Sequence, residues 1–175
     1  MKTPILPLLL GCFILLGIGC KDDSPTYESC CANSPLEFSD GNALVYLANV
    51  FTPDGDTYNE VFTPSVNPKV TAISDYKILD RKNKVIFEKE SLRVGDQSDG
   101  WNGKDNGEDY NGQFSYEFTI VDDGGNSTQL SGSACVLRCN LASMIEIDIS
   151  NCKYPDQGFA GAVAPGVPTV NPDCF

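Results

Sequence analysis

Histidine is absent from the 175 residues, and there are only two methionines and one tryptophan. Without an imidazole the chain has no Ser-His-Asp triad and no histidine proton shuttle. Neither a G-x-S-x-G elbow nor a phosphate-cradling glycine loop occurs, which further weakens a catalytic reading. Paired carboxylates for glycoside hydrolysis stay open in so acidic a chain, but one this short has little material for a deep cleft. Basic residues are scarce, 12 against 24 acidic, for a formal charge of −12. That balance argues against nucleic acid and against electrostatic attraction to anionic lipid headgroups, and is compatible with divalent cations. No stretch shows a 3.6-residue apolar period, so helices are not expected.

What is present begins with an N-terminal leader. Met1 and Lys2 precede an apolar run from Ile5 to Gly19, too short and too quickly followed by polar residues to read as a spanning helix. It ends in Leu16-Gly17-Ile18-Gly19-Cys20, which resembles a bacterial lipoprotein signal with its lipobox. Leu10-Gly11-Cys12 is a rival box that would leave an apolar core of only about seven residues. The resemblance implies cleavage before Cys20 and acylation of that sulfur. Several acyl chains, at about 0.8 kcal/mol per buried methylene, would anchor stably. Lys21-Asp22-Asp23 resembles the short acidic export signal of Bacteroidetes surface lipoproteins, or is simply the solvated start of a linker. The expected address is the outer membrane, lipid-anchored, at the cell surface. Removing residues 1–19 takes away Lys2 and leaves 11 basic against 24 acidic residues, a formal charge of −13.

Six further cysteines remain: Cys30, Cys31, Cys135, Cys139, Cys152 and Cys174. An even number in an exported chain predicts disulfides, with fifteen possible pairings. Zinc is the competing reading, disfavoured by the lack of His and of paired C-x-x-C knuckles. Adjacent Cys30 and Cys31 are each expected to reach a partner within 135–174, tying the N-terminal segment to the C-terminal one.

From Ala43 onward the pattern is β. Ala43–Val50 reads as a short apolar strand, and Tyr76–Asp80 and Lys84–Glu88 as a hairpin around Arg81-Lys82-Asn83. Phe114, Tyr116, Phe118 and Ile120 alternate on one strand face, Asp122–Asn126 turns, and Thr128–Arg138 returns. Met144–Ile149 alternates again, and Tyr154–Phe175 reads as irregular, pinned by Cys174. About seven short strands predict an all-β, Ig-like antiparallel sandwich over 43–138. A tether over 20–42 and a cysteine-containing extension over 139–175 flank it.

The most informative stretch is Asn49–Phe62, N-V-F-T-P-D-G-D-T-Y-N-E-V-F. Pro53 and Asp54-Gly55-Asp56 are strong turn chemistry between two apolar anchors. Oxygens of Asp54, Asp56, Asn59 and Glu60 are candidates to converge on calcium, with a second acidic patch at Asp99–Asp109 nearby. Carboxylates ~4 Å apart repel by roughly 4 kcal/mol at an effective dielectric of 20, which a cation would offset. The other reading is a solvated acidic turn, since the twelve-residue EF-hand spacing is not met.

Phe51-Thr52-Pro53-Asp54-Gly55-Asp56 followed by Asn59-Glu60-Val61-Phe62 resembles the F-T-P-N-G-D-G-x-N-D-x-F opening of the gliding-motility-associated C-terminal domain. That domain is also the type B sorting domain of the Bacteroidetes type IX secretion system. Ser74–Arg81, Lys84–Glu88, Gly100-Trp101-Asn102-Gly103 and Asn111–Tyr116 are similar to its later landmarks, in order. Asp54 replaces the family's Asn, Thr57 its Gly, and Lys82 stands where Trp is common. The family domain normally ends its protein, whereas residues 139–175 follow here. The resemblance implies an Ig-like sandwich acting as a non-catalytic interaction module. Its partner would be an outer-membrane β-barrel or a secreted adhesin of the gliding and type IX machinery. The alternative is calcium-dependent binding of carbohydrate or host surface, with Trp101 and Tyr110 as contacts, and a third reading is a spacer without a ligand.

Overall fold

The structure, a computed structural model, describes Cys30 and residues 32–55, 57–138 and 152–163. The fold is all-β, as the alternation predicts. Two sheets enclose the main core: β1 (Leu36–Asp40), β2 (Ala43–Leu47) and β4 (Ser65–Val66) form the smaller. The larger runs in the order β3 (Val50–Phe51), β10 (Ser127–Val136), β9 (Gly112–Asp122), β5 (Val70–Leu79), β6 (Val85–Leu92). Short hairpins β7 (Lys104–Asp105)/β8 (Glu108–Asp109) and β11 (Gly158–Phe159)/β12 (Ala162–Val163) complete the described strands.

Local chemistry sets these elements. Along β9 every second residue from Gly112 to Ile120 is buried, with Phe114, Tyr116, Phe118 and Ile120 in the core. Leu130, Ala134 and Val136 of β10 face the same core. At the β5–β6 turn Asp80 accepts hydrogen bonds from the Lys82 and Lys84 amides, while Asn83 takes a left-handed φ of 61°. Two bulges in β5 let Val70, Ile73, Tyr76 and Ile78 all face inward despite their uneven spacing.

Three features depart from the expectation. β3 pairs parallel to β10 through Cys135↔Val50 and Val136↔Phe51, so the larger sheet is mixed rather than antiparallel. Ala43–Val50 is two strands, because Asn49 breaks the run to bond elsewhere. Residues 154–163 are not irregular: Tyr154 and Gln157 are buried, and the β11–β12 hairpin lies against β2 and β4. Cys30 is bonded to Cys135, the long-range pairing expected of it, and Cys152 is disulfide-bonded as well. Cys20, Cys31, Cys139, Cys174, Asp56 and Met144–Ile149 lie outside the described residues.

Candidate functional site

The Asn49–Phe62 stretch forms one pole of the molecule. Thr52 N–H donates to the Asn59 carbonyl across the loop at 3.1 Å. Glu60 Oε1 accepts from the Gly55 amide at 2.6 Å and the Thr57 amide at 3.3 Å, closing its own turn. Asn59 is buried and turns the other way, its Oδ1 accepting from the Asp156 amide at 3.0 Å. Asp54 is exposed at the tip. The oxygens of Asn59 and Glu60 thus bind amides of two different segments. No group of three or more His, Cys, Asp or Glu among the described residues is placed to hold a metal. In the second acidic patch Asp105 pairs with Lys84 and accepts from the Asn106 side-chain amide, and Asp109 pairs with Lys104 and Arg138. Thr57 has a φ of 82°, a region glycine favours, at a local cost of order 1–3 kcal/mol.

Beneath the loop lies an aromatic cluster. Phe51, Phe62, Trp101 and Phe114 have ring centroids 4.9–6.0 Å apart, and all are buried. Phe62 and Trp101 exchange backbone hydrogen bonds at 2.8 and 3.0 Å. A Cβ on Gly100 would run into the Phe62 carbonyl, which explains the glycine before Trp101. Trp101 is 0 % exposed and its Nε1–H donates to the Lys104 carbonyl. It therefore offers no ring face to a sugar, a correction to its reading as a ligand contact. Tyr110 is half-buried, edge-on to Trp101, with its hydroxyl donating to the Gln113 carbonyl.

Arg138, half-buried just past the end of β10, fastens the pole. Its guanidinium donates to the carbonyls of Pro53 (2.6 Å), Gly103 (2.9 Å) and Tyr110 (3.3 Å), and pairs with Asp109. Five donors in a planar fork suit this; a lysine would reach fewer. Nothing in its sequence neighbourhood signals the role.

A second polar node sits at the β6 end. Asp99 accepts from the Arg93 side chain, the Lys89 ammonium and the Arg93 amide, holding its carboxyl far below the usual carboxylate range. A folded-state pKa below the unfolded value means this stabilisation is present above about pH 4 and lost as the pH falls below it. Asp80, Asp96, Asp109 and Asp122 shift the same way. Burial pushes Asp156 up instead, so its contribution runs oppositely. The urea midpoint should fall steeply between about pH 4 and pH 2. Asp99→Asn should lower it at pH 7 and flatten that fall; an unchanged acid limb would refute the assignment.

Beside this node an open groove of about 330 Å³ runs along the flank between β4 and the segment after β6. Pro64, Val66, Pro68, Arg93, Gln97 and Phe159 line it. Phe159 is 75 % exposed, the most exposed large apolar side chain among the described residues. It is fixed there by a two-residue hairpin turn in which Ala160 and Gly161 have φ of 49° and 80°, the type I′ pattern. Gly158 packs on the Tyr46 ring, and Gly161 N–H donates to Ser65 Oγ. Arg93 is held by Asp96 and Asp99 at the groove's far wall.

The chain matches no protein-family model and no curated protein. The site must therefore be read from its own residues. Sequence reasoning missed two of them besides Arg138. Asn49, wholly buried, donates to the Asn33 carbonyl and accepts from the Lys153 amide, joining three segments. Its signal was a lone Asn inside an apolar run. Phe159 carried the weaker signal of an aromatic beside Gly and Ala in a polar tail.

Proposed function

We propose that this chain is a lipid-anchored, cell-surface, non-catalytic protein-interaction module associated with the gliding motility and type IX secretion machinery. The observation supporting it is the aromatic cluster. Phe51, Phe62, Trp101 and Phe114, drawn from three landmarks of the family resemblance, meet in one packed unit under the F-T-P loop. The spacing of those landmarks thus has a structural use, which supports treating the resemblance as one of fold and of role.

The groove beside Phe159 is the contact surface this reading favours. An exposed aromatic anchored on a rigid turn, with an arginine opposite, has the make-up of an interface hot spot. Its partner is an outer-membrane β-barrel or secreted adhesin of that machinery. Tagged protein incubated with solubilised outer membranes of the producing cell should recover a gliding or type IX component. Phe159→Ser should weaken that recovery by roughly tenfold or more. Melting should stay nearly unchanged, since the side chain is mostly in water. Recovery of no such component by the unaltered chain would count against the reading.

A further inference from the structure

Sheet edges that stay unpaired usually carry something that deters another strand. Three of the long or outer edges here do. β6 bears Glu88, Lys89 and Glu90, and Lys89 binds the 97–99 turn across it. β1 bears Glu37 and Asp40, and β4 is two residues long between Pro64 and Pro68. β10 differs. One side pairs with β9 along its whole length, and β3 covers the other only at Cys135 and Val136. Asn33 Nδ2 donates to Ser133 Oγ at 3.0 Å, so the stretch with an open side among the described residues is Ser127–Gly132.

The hydrogen bonds fix which backbone groups face it. Cys135 N–H donates to the Asn49 carbonyl and Leu137 N–H to the Phe51 carbonyl, so odd-numbered residues turn toward this side. The β9–β10 register is unbroken from 127 to 136. Strand alternation then carries the N–H and C=O of Ser127, Gln129 and Ser131 to the same open side. No charged residue occurs from Gly124 to Leu137.

We propose that this edge pairs antiparallel with the same edge of a second copy of the chain, joining two five-stranded sheets into one across a two-fold axis. Gln129 then faces the partner's Ser131 and Ser131 the partner's Gln129, so outward donors and acceptors meet in register. Charge selects this partner and this strand. A chain of formal charge −12 repels its copies over most approaches, but an uncharged strand lets two backbones come together. Antiparallel pairing also sends the acidic Asp122-Asp123 turns of the two copies to opposite ends, on the order of 25 Å apart. β3 blocks extension past Cys135, which limits the paired length.

Sedimentation of the purified chain with disulfides intact should show a concentration-dependent dimer with a Kd of roughly 1–100 µM, the weak class suited to a small interface. Added salt should tighten it by screening like charges. Ser131→Pro removes an N–H on the open side without touching the β9 ladder, and should raise Kd at least about tenfold. Ser131→Lys, which sets like charges near the axis, should do the same. Matching circular dichroism and melting would show that both variants fold. The Gln129 and Ser131 amides should exchange more slowly as concentration rises. A chain monomeric at several hundred micromolar, or a dimer indifferent to both variants, would overturn the proposal. So would protection of those amides in the dilute monomer, or protection only when a different protein is added.

Discussion

Trp101→Ala is expected to lose roughly 3–5 kcal/mol of stability, the range for truncating a fully buried aromatic. Trp101 is 0 % exposed and touches Phe51, Tyr110 and Phe114. Its removal opens a cavity that these rings cannot close, because each is held by its own strand or turn. The lost Nε1–H also leaves the Lys104 carbonyl without that partner. A domain is typically stable by only about 5–15 kcal/mol, so much of the margin goes with one side chain. Trp101→Phe retains part of the ring packing and should lose less. Chemical denaturation followed by circular dichroism is the suitable probe, since the variant has no tryptophan to report fluorescence. A loss under about 1 kcal/mol would mean that the cluster is not the centre of the fold.

The second large effect concerns Cys30 and Cys135. Their bond closes a loop with a sequence separation of 105, and both residues are wholly buried. Loops of about 100 residues give an entropic stabilisation near 4.7 kcal/mol in the chain-entropy model. The double substitution Cys30→Ala/Cys135→Ala should therefore lower unfolding free energy by about 3–5 kcal/mol. It isolates this bond, which reduction would not, because Cys152 is bonded too. The effect should show in denaturant midpoints more than in native spectra, since the unfolded chain gains most of the freedom. Near-equal midpoints for the two proteins would show that Val50, Leu137 and Tyr154 hold this small second core without the bond.

Both effects rest on contacts whose partners are far apart in the chain, which is where sequence reasoning thins out. Trp101, the lone tryptophan, reads from sequence most simply as a core or sheet-edge packing residue, with a sugar platform as the alternative. Only its bridge to Phe62 and its neighbours from β3 and β9 show it to be core. Asn59 and Glu60 had the composition of a cation loop. Glu60 Oε1 accepts from amides within its own turn, which five residues of sequence could suggest. Asn59 bonds Asp156, which they could not. The same distance effect hid the ordered part of the tail. The Tyr154 carbonyl accepts from the Tyr46 hydroxyl, 108 positions earlier, and Gln157 is buried beside Tyr154, from whose amide it accepts.

By itself the sequence determined the all-β class, the inward face of β9, the Asp-and-Asn turns and the long reach of Cys30. Each follows from period-two burial, local hydrogen bonding or the inability of adjacent cysteines to serve one another. Tertiary structure alone decided the parallel seating of β3 on β10, the three-carbonyl grip of Arg138, the exposure of Phe159 and which strand edge stays open among the described residues. Those depend on where distant backbone groups end up, and no local pattern of side chains records that.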